Sequence, residues 1–171
     1  MDSKNQEPQI SIQITRKFKG IKLSLPELRN LIKSICKQTA GSQVRYDEFE
    51  ISIAIVGDDE IKRLNKQFLN HDTTTDCLSF DLSDELKSTK ENRSSKIIEL
   101  IVNGEMAARQ ANQRGHSGRA ELALYITHGL LHQLGFDDST KTRAKKMHDK
   151  EDEILQQLGY GIVYNTRTKN R

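Results

Sequence analysis

The chain has 171 residues, of which 35% are apolar and 30% charged, with no tryptophan, a net charge of +3 and a pI near 8.8. That length suits one domain around an aliphatic core of Ile and Leu, and the mild basic excess tolerates nucleic acid but excludes a histone-like or ribosomal-protein charge balance. Cys36 and Cys77 stand in apolar contexts and read as buried free thiols, so a disulfide framework is excluded and a reducing cytoplasm fits; no apolar run is long enough for a signal peptide or for the ~20 residues that span a bilayer.

Residues 1–8 are polar and are expected to be frayed. Ile10, Ile12 and Ile14 then alternate with Ser11, Gln13 and Thr15, the period of a half-buried strand. Ser24, with Pro26 in the first turn and Glu27 three residues on, starts a helix carrying Leu28, Leu31, Ile32, Ile35 and Cys36 on one face, with Gly41 beyond its end. Phe49, Ile51, Ile53 and Ile55 mark a second strand that stops at Gly57-Asp58-Asp59, where either aspartate can cap the next helix. That helix, about 59–69, is expected to turn Ile61, Leu64, Phe68 and Leu69 inward and Lys62, Arg63 and Lys66 outward, as a solvated face or a track for a phosphate backbone.

The run from Asn70 to Thr75 has no periodicity and reads as a loop, with His71 an exposed residue in it. Cys77 to Leu82 is a short strand. Residues 83–96 are rich in charge and hydroxyls and read as a surface loop. Ile97 to Val102 is nearly continuous in apolar residues, a strand buried on both faces in the middle of a sheet. Asn103 caps a helix through about Arg114, with Met106, Ala107 and Ala111 inward and Gly115 at its end.

Helix 118–134 follows, and it carries His128 and His132. Histidines four apart share a face, one turn above the other, with Cβ atoms roughly 5–6 Å apart. Gly135 can take the left-handed conformation that ends a helix and turns the chain back beside the rings, which makes Asp138 the next group able to reach them. His128, His132 and Asp138 are thus a candidate ligand set for a divalent ion, two imidazoles and a carboxylate that leave a position for water. The glutamate that serves zinc peptidases as general base would follow the first histidine; Gly129 stands there instead. A last helix, about 139–158, carries Ala144, Met147, Ile154, Leu155 and Leu158 inward, and His148 on it reads as solvent-facing or at the core edge. The whole is α+β: a single domain over 9–164 with a central mixed sheet of about four strands and about five helices around it, followed by a basic tail at 165–171.

Three blocks of this chain resemble the YbeY-type endoribonucleases, bacterial rRNA maturation factors. His128-Gly-Leu-Leu-His-Gln-Leu-Gly-Phe-Asp-Asp138 resembles that family's His-Gly-x-Leu-His-Leu-x-Gly-Tyr-Asp-His. Leu64-Asn65 with Thr75-Asp76-Cys77-Leu78-Ser79-Phe80 resembles its Leu-Asn and Thr-Asp-Val-Leu-Ser-Phe, and Glu99 to Asn103 with Glu105, Ala107, Ala111 and Glu121 resembles its strand-helix-helix lead-in. Together they span roughly residues 50–158.

The resemblance implies a cytoplasmic, monomeric, zinc-dependent endoribonuclease acting on single-stranded RNA, with rRNA and the small ribosomal subunit as partners in rRNA processing and ribosome quality control. It implies one Zn2+ on His128, His132 and Asp138, with Fe2+ or another divalent ion also suited to two histidines and a carboxylate. Asp137 would orient a ligand imidazole from behind. Thr75, Asp76 and Ser79 would line the cleft on an edge strand. Two residues depart from the family. Asp138 replaces its third histidine and lowers the site's charge by one, and Leu69 stands where it has an arginine thought to contact phosphate, leaving Lys66, Arg109 and Arg114, with Arg119 beyond, as the basic candidates for substrate. Three other readings stay open: an RNA- or ribosome-binding factor of the same fold that cleaves weakly, a metallopeptidase-like hydrolase, and an Fe(II) oxygenase.

Overall fold

The computed structural model describes residues 7–39, 46–83 and 94–165. The expectations for the first six residues, for Gly41, for most of the loop at 83–96 and for the tail beyond Asn165 lie outside the described residues. Within them the order is β1 (Gln9–Arg16), α1 (Leu25–Thr39), β2 (Glu48–Val56), α2 (Asp58–Leu69), β3 (Cys77–Asp81), β4 (Ser95–Asn103), α3 (Gly104–Arg114), α4 (Gly118–Gln133) and α5 (Lys141–Gln157). The strands form one mixed sheet in the order β1-β2-β4-β3, with β1, β2 and β4 parallel and β3 antiparallel along the edge of β4.

The period of two in the strands sorts the core into two unequal layers. Phe49, Ile51, Ile53 and Ile55 of β2, with Ile98, Leu100 and Val102 of β4, face a large cluster with residues of α1, α3, α4 and α5. Val56 of β2 and Ile101 of β4 face the other way, meeting Leu78 and Ile61 under α2. β4, covered on both faces, is the near-continuous apolar strand that the sequence shows.

Local chemistry sets the helix ends. At α1 Ser24 and Glu27 cap one another, the backbone N–H of Ser24 donating to Glu27 Oε2 at 2.8 Å and that of Glu27 to Ser24 Oγ at 3.3 Å. Asn103, Ser117 and Thr140 accept from the third backbone N–H of α3, α4 and α5. α2 differs from expectation: Gly57 is its N-cap and makes no side-chain cap, while the N–H of Asp58 donates to Glu105 Oε2 at 2.9 Å, so the cap comes from α3. Its far end differs too. Phe68 and Leu69 are 56% and 48% exposed, not inward, because α2 lies over the short edge strand β3 and, among the described residues, no strand lies beyond it in the sheet; Phe68 meets Phe80 edge-on.

Asn103, fully buried, ties three elements together: its Oδ1 caps α3, its Nδ2 donates to Asp58 Oδ1 at 2.7 Å and to the Thr75 carbonyl at 3.2 Å, and its N–H donates to the Asp76 carbonyl. Asn65, also buried, reaches the Thr73 carbonyl at 2.8 Å and pins the 70–76 loop to α2. Both amides satisfy backbone groups that would otherwise be costly to bury.

Helix α4 is buried nearly all round, packed against α1, α3, α5, β3 and β4. Its approach to the sheet requires Gly129, where an added Cβ would come 2.4 Å from Leu100 Cδ1 and 3.2 Å from Cys77 Sγ. Gly129→Ala is expected to destabilise the fold by about 1–3 kcal/mol through overpacking, read as a fall in thermal midpoint; an unchanged midpoint would show that the helix has room to retreat. A second expectation concerns pH. The hydrogen bond from Arg109 holds the Asp58 carboxyl below its usual range, against burial and with help from Asn103. A depressed folded-state pKa stabilises above the unfolded value, near 3.9 for aspartate, and that stability is lost as pH falls through the folded one. The gap in thermal midpoint between wild type and Asp58→Asn should therefore be full at neutral pH and close below about pH 4; a gap that persists in acid contradicts the ion-pair account.

Candidate metal centre

Helix α4 ends where the sequence places its stop. Leu134 is the C-cap, Gly135 has φ +96°, the Phe136 N–H donates to the Leu131 carbonyl at 3.0 Å and the Gly135 N–H to the His132 carbonyl at 3.3 Å. This left-handed closure, which glycine takes without strain, swings the chain back along the last turn. One ligand atom each from His128, His132 and Asp138 then falls within 4.8 Å of the others. The two Nε2 atoms face each other at 3.1 Å, and Asp138 Oδ2 lies 3.8 Å from His132 Nε2.

Those spacings fit an ion. Two nitrogens held at ~2.0–2.1 Å from a tetrahedral metal stand about 3.3 Å apart, close to the observed 3.1 Å. A second set, His128, His148 and Glu151, has the same compactness. It is already satisfied internally: His128 Nδ1 is 2.7 Å from Glu151 Oε1 and His148 Nδ1 is 2.8 Å from Glu151 Oε2. The first set brings two imidazole Nε2 atoms and a carboxylate oxygen to the spacing of a metal's ligands; the second is a buried carboxylate with each oxygen on one ring Nδ1.

The electrostatics favour a cation there. Burial opposes charge on His128, but the Glu151 hydrogen bond and the negative charges of Glu151, Asp76 and Asp138 outweigh it and carry the ring's pKa above the ordinary value. Surroundings that favour a proton on an imidazole also favour a metal ion beside it. Cys77 is a different case. Burial, then Asp76 and Glu151, push its thiol well above the usual range, and burial alone takes Cys36 to about 12, so neither is a thiolate nucleophile.

Asp137 does not meet an imidazole. Its carboxylate accepts from the Ser139 N–H at 2.6 Å, the Ser139 hydroxyl at 2.9 Å and Arg143 at 2.6 Å, which hold it at about 2 and fasten the turn between α4 and α5. The group behind His128 is Glu151, fully buried on α5. His148 takes the core-edge alternative, half-buried and stacked on Tyr164 with ring centroids 3.4 Å apart. A signal for Glu151 exists in the sequence: Met147, Glu151, Ile154 and Leu155 share one helical stripe, and a carboxylate in an apolar stripe needs a partner.

The other candidates divide. Asp76 Oδ1 accepts from the Cys77 N–H and the Thr75 hydroxyl, so its position at the head of β3 is fixed, and Ser79 on the same strand accepts from Gln133 Nε2 of α4 at 2.8 Å. Only Ser79 lies on the edge strand itself; Thr75 and Asp76 belong to the loop that leads into it. Lys66 is exposed and 3.2 Å from Asp72. Arg109 is bound to Asp58 at 2.8 Å, Arg114 to the buried Glu121, and Arg119 to Glu27. Leu69 stands half-exposed at the end of α2. No helix among the described residues is long and apolar enough to cross a membrane.

The family model described as Endoribonuclease YbeY matches residues 13–159. The Endoribonuclease YbeY of Thermoanaerobacter sp. (strain X514) is 30% identical over 148 residues, 82% of this chain and 93% of its own length. That of Bacillus subtilis (strain 168) is 32% identical over 139 residues, 79% and 86% of the two chains. A Thermotoga maritima protein solved in solution superposes with a TM-score of 0.59 at 25% identity, over 93% of each chain. A match that runs from β1 to the end of α5 takes in the sheet, the edge strand and the histidine helix together: the chain belongs to the YbeY endoribonuclease family.

Proposed function

We propose that this protein is a metal-dependent endoribonuclease that cleaves single-stranded RNA in the cytoplasm, acting in rRNA maturation and ribosome quality control. The observation that carries the reading is the facing pair of Nε2 atoms on α4 with the Asp138 carboxylate beside them. Two imidazoles and one carboxylate suit Zn2+, and suit Fe2+ as well. A divalent ion held there would act as a Lewis acid toward a phosphoryl oxygen and would make water a better nucleophile near neutral pH.

The protein's own groups do the rest. His128 and His132 are fixed by a helix packed on all sides, so their positions do not have to be organised when substrate arrives. Thr75 and Asp76 in the loop before β3, with Ser79 on it, would line the path of a backbone or ribose. Lys66 is the most exposed of the three basic candidates, and its pairing with the exposed Asp72 is the easiest to give up for a phosphate; Arg109 and Arg114 would have to leave more buried carboxylates. A peptidase reading loses its general base at Gly129, and the packing of α4 on Leu100 leaves no space for a glutamate there.

The second reading is a factor that binds rRNA or the small ribosomal subunit without cutting it. Leu69 favours it, as a half-exposed apolar side chain where the family has arginine. One assay separates the two. Purified protein loaded with Zn2+ should cleave single-stranded RNA but spare duplex, and lose cleavage with chelator, with His128→Ala and with His132→Ala. Cleavage that survives all three removes the metal from the mechanism. Tight RNA binding without products supports the second reading, and Leu69→Arg should then gain cleavage if the missing cation alone limits it.

A further inference from the structure

We propose that Glu151 and His148 are positioning residues for His128, with the carboxylate holding the imidazole proton on Nδ1 so that the Nε2 lone pair faces the ion pocket, and with His148 holding the carboxylate. The inference rests on reading His128, His132 and Asp138 as the ion site. Its observation is separate: a fully buried carboxylate whose two oxygens are divided between two rings, Oε1 on His128 Nδ1 at 2.7 Å and Oε2 on His148 Nδ1 at 2.8 Å.

An ionised carboxylate only accepts, so each ring must present an N–H at Nδ1. For His128 this decides the tautomer: Nε2 is left as the acceptor, the form a metal requires. With both oxygens engaged, Glu151 cannot rotate without losing a bond in a place water does not reach. His148 is held in turn. Its ring lies on Tyr164, and the Tyr164 segment is clamped by Asp152, whose carboxylate accepts from the N–H groups of Val163, Tyr164 and Asn165 at 3.0, 2.9 and 3.1 Å. The order of support therefore runs from the segment after α5, through His148 and Glu151, to the ligand ring. Adjacent residues on one helix serve the two ends of this chain, Glu151 the metal side and Asp152 the strap.

Glutamine at 151 tests it, because an amide offers one acceptor and one donor where the carboxylate offers two acceptors. Only one of the two rings could then keep its proton on Nδ1. Long-range 1H–15N spectra of the metal-free protein, recorded at a pH high enough that both rings are neutral, should show His128 and His148 both as Nδ1–H tautomers in the wild type, and Glu151→Gln should move at least one of them to Nε2–H. Zinc affinity, by chelator competition, should fall ~10–100-fold in Glu151→Gln. His148→Phe keeps the stack on Tyr164 and removes the N–H; it should weaken zinc less than Glu151→Gln, and the double variant should be no worse than Glu151→Gln alone, since His148 acts through Glu151.

The wild-type spectrum needs no variant to fold, and His128 found as the Nε2–H tautomer overturns the proposal outright. So do tautomers that Glu151→Gln leaves unchanged, or losses in the two single variants that add in full. His132→Ala guards the other reading: if it leaves zinc affinity intact, the ion site is misplaced, while the tautomers still decide whether Glu151 and His148 orient His128.

Discussion

The site depends on the close approach of one helix to one strand. α4 lies against β4 at Gly129, where the Leu100 side chain occupies the space a Cβ would need. With the helix surrounded by α1, α3, α5 and the sheet, rotation about its axis would push apolar side chains into other apolar side chains already packed to capacity. The directions of His128 and His132 are thus set by core packing rather than by contacts at the site itself. The same contact explains a chemical departure from the zinc peptidases: a residue that must be glycine for packing cannot also be a general base.

Around this fixed pair the protein arranges negative charge. Asp138 comes from the turn that Gly135 makes possible, Asp76 from the head of the edge strand, and Glu151 from a helix that begins after the turn. Each belongs to a different element; Asp76 is restrained by hydrogen bonds and Glu151 by hydrogen bonds and burial, while Asp138 is exposed. Charge of this kind, gathered beside two imidazoles with their Nε2 atoms 3.1 Å apart, lowers the cost of bringing a dication close. The basic residues near it show the opposite arrangement: Arg109, Arg114 and Arg119 all sit on carboxylates that join α2, α4 and α1 to their neighbours, so these three positive charges are committed to holding the fold.

How much of this could be read in the sequence follows from the range of the forces involved. Local rules reach a few residues, and they were enough for the alternating strands, for Ser24 with Glu27, for the Asn103 cap and for the glycine stops. The histidine pair is legible for the same reason, since four residues on a helix is a local distance. The failures are long-range. Glu105 caps α2 from 47 positions away, and Glu151 reaches His128 from 23. Phe68 and Leu69 fit an apolar stripe, but which part of a helix is covered depends on strand order, and β3 is an edge. For His148 the sequence left solvent face and core edge both open; the stack on Tyr164, brought over by Asp152, puts it at the core edge. Asp137 was the nearest carboxylate in sequence to the ligands, yet the N–H and hydroxyl of Ser139 and the guanidinium of Arg143 hold it in the turn.

If His128, His132 and Asp138 hold one cation, diffraction from zinc-loaded crystals at the zinc absorption edge should show one anomalous peak at ~2.0–2.2 Å from His128 Nε2, His132 Nε2 and an Asp138 oxygen, with Glu151 still on His128 Nδ1. A peak seated instead among His128, His148 and Glu151, or no peak near α4 at full zinc occupancy in solution, would contradict it.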